Sequence, residues 1–389
     1  MIYLDNAATT PLHPTARAAM LPYLSEEYAN PSGIYSPAHK TRNVIDEVRQ
    51  VVARGINANP TEIYFTSGGT EANNWALQGV LEATGKKHII TSAIEHHAIY
   101  NHCEHLKSLG YHVTYLPVDS TGKVDTSMIE SAVQPDTGII TVMLANNEIG
   151  TLQPLAEISE IAKRRKIPLH TDAVQAVGHI PVDVNDLGVD LLSLSAHKFH
   201  GPKGIGALYI RKGTRIASLL HGGMQERGRR AGTENVMGIV GLGAALEASL
   251  EEMPKEFARL TALRDKFINL ILTQIPHTQL NGATGADRLP GNVNVSFRFI
   301  EGESLLLHLD MQKCYASTGS ACSSGALDPS HVLIALGLCH ELANGAIRFS
   351  LGRESTDDDI ARLMQILIPT VHKLRALSPL YDDYMSSQA

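Results

Sequence analysis

The sequence of 389 residues is poor in cysteine and tryptophan, with four of the first and one of the second. Four cysteines, widely separated, are too few for a disulfide framework, which favours a reducing compartment. No apolar segment approaches the roughly 20 residues that a membrane-spanning helix needs. The N-terminal MIYLDNAATT has neither the basic nor the apolar region of a secretory signal. These absences together predict a cytoplasmic protein.

The sequence also lacks a long basic run. The formal net charge is -7, from 33 Lys and Arg against 40 Asp and Glu. Direct binding to nucleic acid or to an anionic membrane is therefore not expected. The chain is too long for one simple core, so we expect a large domain and a smaller one.

Short apolar runs alternate with amphipathic helical patterns over the first half of the chain. Seven runs are candidate strands: EIYFTSGG, KHIITSA, YHVTYLPV, GIITVMLA, KIPLHTDA, VDLLSLSA and IGALYIR. Helical patterns such as LAEISEIAKRRK lie between most of them, which predicts an α/β fold with a mainly parallel sheet and helices on both faces. Ligands in such folds bind beyond the carboxyl ends of the strands, where Thr66, Asp172 and Lys198 all fall.

The pattern changes after about residue 250. The helical stretch LEEMPKEFARLTALRDKFINLILTQI leads to the strand candidate GNVNVSFRF and a second α/β section. Near the end, Thr356 and Asp359 form a T-x-x-D signal that begins a helix, and we expect Pro369 to kink that helix. This section is interpreted as the smaller domain.

TSGGTEANN, at residues 66–74, places Gly68, Gly69 and Thr70 between a strand and a helix. Glycines let the backbone approach an anion, and a helix N-terminus offers free N–H groups, so a phosphate site is plausible. The same residues also suit an ordinary strand-to-helix turn. This stretch alone does not decide between the two interpretations.

Asp172 and Gln175 follow one apolar run, and Ser195, His197 and Lys198 follow another. A lone Asp is often a helix cap, and a lone Lys is usually a solvated charge. Together, however, a carboxylate and a lysine at the rim of a sheet suit pyridoxal phosphate. The carboxylate keeps the pyridine nitrogen protonated, and the lysine holds the aldehyde as a Schiff base.

The run EHHAIYNHCEH, at residues 95–105, is rich in histidine. Imidazole and thiolate are zinc ligands, but the spacing does not match the H-E-x-x-H pattern and no second Cys pair completes a site. We expect no metal, with His96 against a cofactor ring and the other histidines on the helix surface or partly buried.

Cys322 lies in ASTGSACSSG, among small residues. A lone cysteine is more often a buried apolar residue than a nucleophile. Here the composition suggests an exposed loop that can carry a thiol to a buried site. The other cysteines, Cys103, Cys314 and Cys339, are interpreted as core or structural thiols.

The combination of motifs resembles cysteine desulfurases of the NifS and IscS class, within the fold-type I pyridoxal phosphate enzymes. The segments that carry the resemblance are YLDNAATT, NPSG, TSGGTEANN, EHHA, NNEIGT, HTDAVQAVG, SAHKFHGPKG, GGMQERGRRAGTENV, GSACSSG, IRFSLGR and LRALSPLY. The resemblance implies a homodimer with a seven-stranded sheet in a large domain at residues 16–255. It also implies a small domain made of residues 1–15 and 256–389.

The resemblance assigns roles to individual residues. Lys198 is expected to bind the cofactor aldehyde, Asp172 the pyridine nitrogen and Gln175 the phenolic oxygen, with His96 stacked on the ring. The expected phosphate ligands are Gly69, Thr70, Ser195, His197 and, across the dimer, Thr233. Asn147, which is also expected to lie beside the cofactor, and Arg348 are expected to bind the substrate carboxylate, with Arg353 as the alternative arginine.

The expected reaction converts L-cysteine to L-alanine and leaves the sulfur as a persulfide on Cys322. Lys198 moves the α-proton, and His96 assists proton transfer. The sulfur then passes to an acceptor protein for iron–sulfur cluster assembly or tRNA thiolation. Two alternatives stay open: selenocysteine lyase activity, and a non-catalytic assembly protein that uses Cys322 as a ligand.

Overall fold

The computed structural model describes residues 1–318 and 329–388. The strands in this part of the chain are β1 (Ile2–Tyr3), β2 (Ile63–Thr66), β3 (His88–Ser92), β4 (His112–Leu116), β5 (Thr137–Thr141), β6 (Leu169–Asp172), β7 (Leu191–Ser195), β8 (Gly206–Ile210), β9 (Thr278–Leu280), β10 (Asn292–Phe297), β11 (Cys314–Tyr315) and β12 (Ala346–Ser350). The helices are α1 (Pro14–Met20), α2 (Ser36–Gly55), α3 (Gly69–Thr84), α4 (His97–Ser108), α5 (Thr126–Ala132), α6 (Leu155–Arg165), α7 (Gln225–Gly228), α8 (Val236–Gln274), α9 (Gly302–Met311), α10 (His331–Ala335), α11 (His340–Asn344), α12 (Asp357–Arg375) and α13 (Pro379–Gln388). None of the helices in the described residues is both long and apolar enough to cross a membrane.

The seven predicted strands form one sheet in the order β2-β8-β7-β6-β5-β3-β4. The strands are parallel except β8, which is antiparallel to both of its neighbours. Alternate residues face opposite sides: Ile90 and Ile140 pack with α2, α6 and α8, whereas Ile89 and Ile139 pack with α3 and α4. The predicted α/β fold with helices on both faces is confirmed.

The sheet register brings the ends of separate strands together. Gly206 of β8 pairs with Thr66 of β2 on one side and with Ser195 of β7 on the other. Asp172, the last residue of β6, pairs with Ser193 of β7. A Cβ atom on Gly206 would lie 2.8 Å from the Cα of Gly68. Because Gly206 has no side chain, the turn between β2 and α3 can pass close to β8. The ends of β2, β6 and β7 therefore share one rim.

A second apolar core lies around the antiparallel sheet β12-β10-β9 and the short pair β1-β11. It contains Ile2 and Leu4 from the N-terminus together with residues from Leu260 to Val371. The helix α8 contributes to both cores, with Leu242 and Leu246 in the first and Leu263 and Phe267 in the second.

The helix boundaries agree with the sequence signals in some places and differ in others. The capping box of Thr356 and Asp359 begins α12 as predicted, and the helix continues through Pro369 to Arg375. The helix expected after residue 250 begins earlier, at Val236, and includes Pro254. Its first turns are rich in glycine, which lowers intrinsic helix propensity, but these glycines allow close packing against α1 and α2. A Cβ on Gly241 would lie 2.5 Å from the sulfur of Met20.

Candidate active site

A cavity of about 260 Å³ lies at the rim where the strands end. Ten of the residues singled out in the sequence line this cavity: Gly69, Thr70, His96, Asn147, Asp172, Gln175, Ser195, His197, Lys198 and Arg348. They come from both halves of the chain, since Arg348 lies on β12 and the others lie between β2 and the turn after β7. The fold thus collects in one place residues that are up to 279 positions apart, from Gly69 to Arg348.

One end of the cavity can hold a phosphate. The helix α3 begins at Gly69, and within the described residues no side chain caps it, so its first N–H groups are available to an anion. A Cβ on Gly69 would lie 2.7 Å from Val174, so a larger residue would crowd the turn. The Ser195 and His197 side chains line the same cavity. Burial lowers the pKa of His197 to about 4, which leaves its imidazole neutral near pH 7.

Asp172 supplies a buried carboxylate, since the residue is 4% exposed. Its Oδ2 accepts a hydrogen bond of 2.6 Å from the side-chain amide of Asn73, and its Oδ1 accepts one of 3.0 Å from the backbone N–H of Val174. These two donors fix the orientation of the carboxylate at the edge of the cavity. A carboxylate held in this way can keep a ring nitrogen protonated.

Lys198 is the last residue of a single 3₁₀ turn, Ala196–Lys198, directly after β7. Its Nζ donates hydrogen bonds of 2.6 Å to the carbonyl of Ala7 and 2.8 Å to the carbonyl of Ala8. The amide of Gln175 donates to the same Ala7 carbonyl at 3.0 Å. The N-terminal segment therefore forms a wall of the cavity, and its carbonyls face the lysine amine.

His96 begins α4 as its N-cap, because its Nδ1 accepts a hydrogen bond of 3.0 Å from the backbone N–H of Ala98. Burial lowers the pKa of His96, and the charge of Lys198 lowers it further, while Asp172 acts in the opposite direction. The neighbouring Glu95 is fully buried, and burial raises its pKa to about 8. His96 is therefore a neutral imidazole at the cavity, next to a carboxyl that is largely protonated at pH 7. Because its Nδ1 accepts the Ala98 N–H, its proton is carried by Nε2.

Arg348 is 3% exposed and lines the same cavity. Its Nη1 donates to the backbone carbonyl of Asn147 at 3.0 Å, and its Nη2 donates to Asp5 Oδ1 at 2.9 Å. The Nε of Arg348 and the Oδ1 of Asn147 are buried without a hydrogen-bond partner among the described residues. Free buried donors and acceptors of this kind indicate a place for a polar ligand. A guanidinium suits a carboxylate.

The remaining predicted site residues lie elsewhere. Thr233 lines a separate pocket together with Thr66 and Arg230. The alternative arginine, Arg353, pairs with Glu252 at 3.1 Å and does not line the cavity. Cys322 lies outside the described residues.

The other three cysteines differ in burial. Cys103 and Cys314 are buried core residues, whereas Cys339 is exposed and is not part of a core. It lies at the N-cap position of α11, after the turn that follows α10, where the backbone runs over the surface. Burial raises the pKa of Cys103 to about 12, so that thiol is unreactive near pH 7.

The histidine-rich run does not form a metal centre in the described residues, where no group of three His, Cys, Asp or Glu side chains could hold an ion. The His102 and His105 rings stack on the helix α4 with their centroids 6.2 Å apart. The His97 ring instead contacts His331, at 4.9 Å between centroids. His102 and His105 thus pack against each other, whereas His97 packs against His331.

Several residues in or next to the cavity were not identified as functional from the sequence. Asn73 lies one turn after Gly69 on the same face of α3, so its spacing within TSGGTEANN was a usable signal. Ala7 and Ala8 act through backbone carbonyls, for which the residue type gives no signal. Asp5 is recognisable only from its contact with Arg348 in the structure.

The doubly wound sheet, with a lysine and a buried carboxylate at the ends of adjacent strands, defines a transferase of fold type I. A family model described as aminotransferase class-V matches residues 2–363. The chain belongs to this family.

Curated relatives and solved structures agree with that assignment. The chain is 54% identical to "Cysteine desulfurase IscS" of Dictyoglomus turgidum over 380 residues, covering 97% of this chain and 96% of the relative. It is 53% identical to "Cysteine desulfurase IscS" of Methanosarcina thermophila over 381 residues, covering 97% and 94%. A solved "NIFS-LIKE PROTEIN" is similar with a TM-score of 0.90 and 37% identity, covering 96% of this chain and 100% of the other. The structure titled "SspA in complex with cysteine" matches with a TM-score of 0.79 and 37% identity, covering 90% and 99%.

Proposed function

We propose that the protein is a cysteine desulfurase that uses pyridoxal 5'-phosphate to convert L-cysteine to L-alanine and transfers the sulfur to Cys322. The observation that carries this proposal is the single cavity that joins Lys198, the buried Asp172 and Arg348. The proposal is supported by relatives that match nearly the full chain, are named cysteine desulfurases and are 53–54% identical to it.

The residues present fit pyridoxal 5'-phosphate. The phosphate would be held by the N-terminus of α3 with Ser195 and His197, the ring nitrogen by Asp172 and the phenolic oxygen by Gln175. His96 would lie against the ring, and Lys198 would bind the aldehyde. When bound, the cofactor supplies an electron sink for the charge left on the substrate after its α-proton is removed.

The side chains of the cavity then have distinct tasks. Arg348 and Asn147 hold the substrate carboxylate. The Lys198 amine takes the α-proton, and the carbonyls of Ala7 and Ala8 accept hydrogen bonds from the resulting ammonium. His96 is neutral because burial lowers its pKa, and its Nε2–H can assist proton transfer near the substrate sulfur.

The sulfur step uses a thiolate of the same chain. The Cys322 thiolate attacks the substrate sulfur, the bond between that sulfur and the β-carbon breaks, and the β-carbon takes up a proton. One substrate thiol and one enzyme thiol thus become L-alanine and one enzyme persulfide, with no external oxidant. Cys322 is assigned this role from its setting in GSACSSG, because it lies outside the described residues.

We also propose a homodimer and an acceptor protein for the sulfur. Thr233 is exposed and lines a pocket separate from the cavity, which supports a role at the partner's phosphate site. The acceptor would belong to iron–sulfur cluster assembly or to tRNA thiolation. The cytoplasmic location expected from the sequence remains part of this proposal.

The division into domains is a further part of the proposal. Residues 16–255 would form the large domain, and residues 1–15 with 256–389 the small one. The two apolar cores support this division, because Ile2 and Leu4 pack with the residues from Leu260 onward. The boundary at 255 falls next to Pro254, within the continuous helix α8.

The experiment that tests the function is a product analysis. The holoenzyme is incubated with L-cysteine and a thiol reductant, and L-alanine and sulfide are quantified. We expect the two products in equal amounts, and none from Lys198→Ala. Formation of pyruvate and ammonia, or of a keto acid that keeps the sulfur, would assign a different reaction to this site.

A further inference from the structure

Arg348 shares its guanidinium with Asp5, a residue of the N-terminal segment. The contact between Arg348 Nη2 and Asp5 Oδ1 measures 2.9 Å. The Arg348 side chain is 4% exposed and that of Asp5 is 22% exposed. A pair this poorly solvated is held more firmly than a surface ion pair.

The backbone fixes Asp5 beside β12. Asp5 forms a parallel bridge with Ser350, two residues after Arg348. The Asn6 N–H donates to the Ser350 carbonyl at 3.3 Å, and the Ala7 N–H donates to Ser350 Oγ at 2.9 Å. The Tyr3 hydroxyl donates to the Asp5 carbonyl at 3.1 Å. The carboxylate of Asp5 therefore remains at the guanidinium.

The guanidinium retains capacity for a second anion. It has five N–H donors. Asp5 accepts one of them, and the carbonyl of Asn147 accepts another. The Nε is buried without a hydrogen-bond partner in the described part of the chain. A substrate carboxylate can bind the remaining donors, but it would then share one positive charge with Asp5.

We propose that Asp5 is a positioning residue that holds Arg348 in place and limits its affinity for carboxylates, so that the product L-alanine is released. This inference rests on the proposed function, because it takes the ligand of Arg348 to be an amino acid. Two carboxylates on one guanidinium repel each other at close range. Asp5 thus weakens the binding of substrate and product alike while keeping the guanidinium oriented.

The test is the affinity of the holoenzyme for L-alanine, measured from the change in cofactor absorbance on titration. Asp5→Asn keeps the acceptor oxygen and removes the charge. We expect its Kd for L-alanine to fall about tenfold, because the variant removes one partly screened repulsion between two carboxylates. Asp5→Glu keeps the charge, so its Kd should stay near the wild-type value although the side chain is longer.

Two controls separate this role from a general structural effect. L-alaninamide has no carboxylate, so Asp5→Asn should leave its Kd unchanged. Glu252→Gln removes the charge from a more exposed pair with Arg353 outside the cavity, and it should not alter the Kd for L-alanine. Should Asp5→Asn fold poorly, Asp5→Ser removes the same charge, keeps an acceptor and must show tighter binding of L-alanine.

The proposal is overturned by an unchanged or higher Kd for L-alanine in the neutral variants, or by an equal change with L-alaninamide. It is also overturned if Asp5→Glu binds L-alanine as tightly as Asp5→Asn. These outcomes differ from a failure of the proposed function, in which the wild-type holoenzyme itself forms no L-alanine from L-cysteine.

Discussion

The side-chain amide of Asn73 donates a hydrogen bond of 2.6 Å to Asp172, and both residues are buried. The amide thereby fixes the carboxylate oxygen from α3, the same helix whose N-terminus can hold a phosphate. One helix thus positions two ends of the proposed cofactor site.

The role of this contact predicts graded losses of activity. Asp172→Asn removes the charge that keeps the ring nitrogen protonated, so turnover should fall by several orders of magnitude while the cofactor still binds. Asn73→Ala keeps the charge of Asp172 but removes the hydrogen bond that orients its carboxylate, and we expect turnover to fall about tenfold. Turnover and cofactor absorbance are measured together. Gln78→Ala, on an exposed part of α3, is the matched control. Near-normal turnover of Asp172→Asn would contradict the assignment.

The turn after β7 predicts which lysine binds the cofactor. Borohydride reduction of the yellow holoenzyme should attach a pyridoxyl group to Lys198, as found by peptide mapping. Lys203 lies on the same segment but is exposed, and it should stay unlabelled. Label on Lys203, or on both lysines equally, would remove the basis for the whole site.

A half-buried histidine beside Lys198, His179, predicts a pH dependence of stability. His179 Nε2 bonds to the Lys198 carbonyl at 2.8 Å, and burial lowers the pKa of His179 to about 4. The unfolded chain binds a proton at about pH 6.5 whereas the folded chain does not, so the folded state loses stability as the pH falls from 6.5 towards 4. This one residue should lower the free energy of unfolding by about 2 kcal/mol between pH 7 and pH 5.

The measurement is denaturant unfolding of the apoprotein at those two pH values. His179→Gln cannot titrate, so its loss of stability between pH 7 and pH 5 should be smaller by that amount, whatever its stability at pH 7. An identical pH dependence in wild type and variant would show that His179 is not the group responsible.

The stacked histidines of α4 predict that activity does not need a metal. Chelators should leave turnover of the holoenzyme unchanged, and His102→Ala should retain most of it. His105→Ala, at the exposed partner of the stack, is the companion variant. Stoichiometric zinc in the purified protein, lost together with activity in His102→Ala, would reverse this view.

Much of the fold could be predicted from local sequence patterns. The seven strands of the large sheet were identified because each is a short apolar run that ends in small or polar residues. Asp172 and Lys198 were recognised as neighbours because the carboxyl ends of parallel strands meet at one rim. The start of α8 was missed because Gly238, Gly241 and Gly243 weaken the helical pattern. The packing of Gly241 against α1 and of Gly243 against α2 depends on residues about 200 positions away.

Contacts of the N-terminal segment could not be predicted in the same way. Ala7 and Ala8 act through carbonyls, and Asp5 acts through an arginine 343 positions further on. Nothing in the local pattern of YLDNAATT indicates these partners. The sequence left open whether Cys339 is a core or a structural thiol, and only the structure places it at an exposed helix start.

The central claim is that Cys322 receives the sulfur of L-cysteine. It is tested most directly by mass spectrometry of the holoenzyme after L-cysteine is added without a reductant. We expect one added sulfur on the Cys322 peptide and an equal amount of L-alanine. In Cys322→Ser, L-cysteine should still change the cofactor absorbance, but neither L-alanine nor persulfide should form. Persulfide on Cys103, Cys314 or Cys339 instead, or full L-alanine production by Cys322→Ser, would contradict the account.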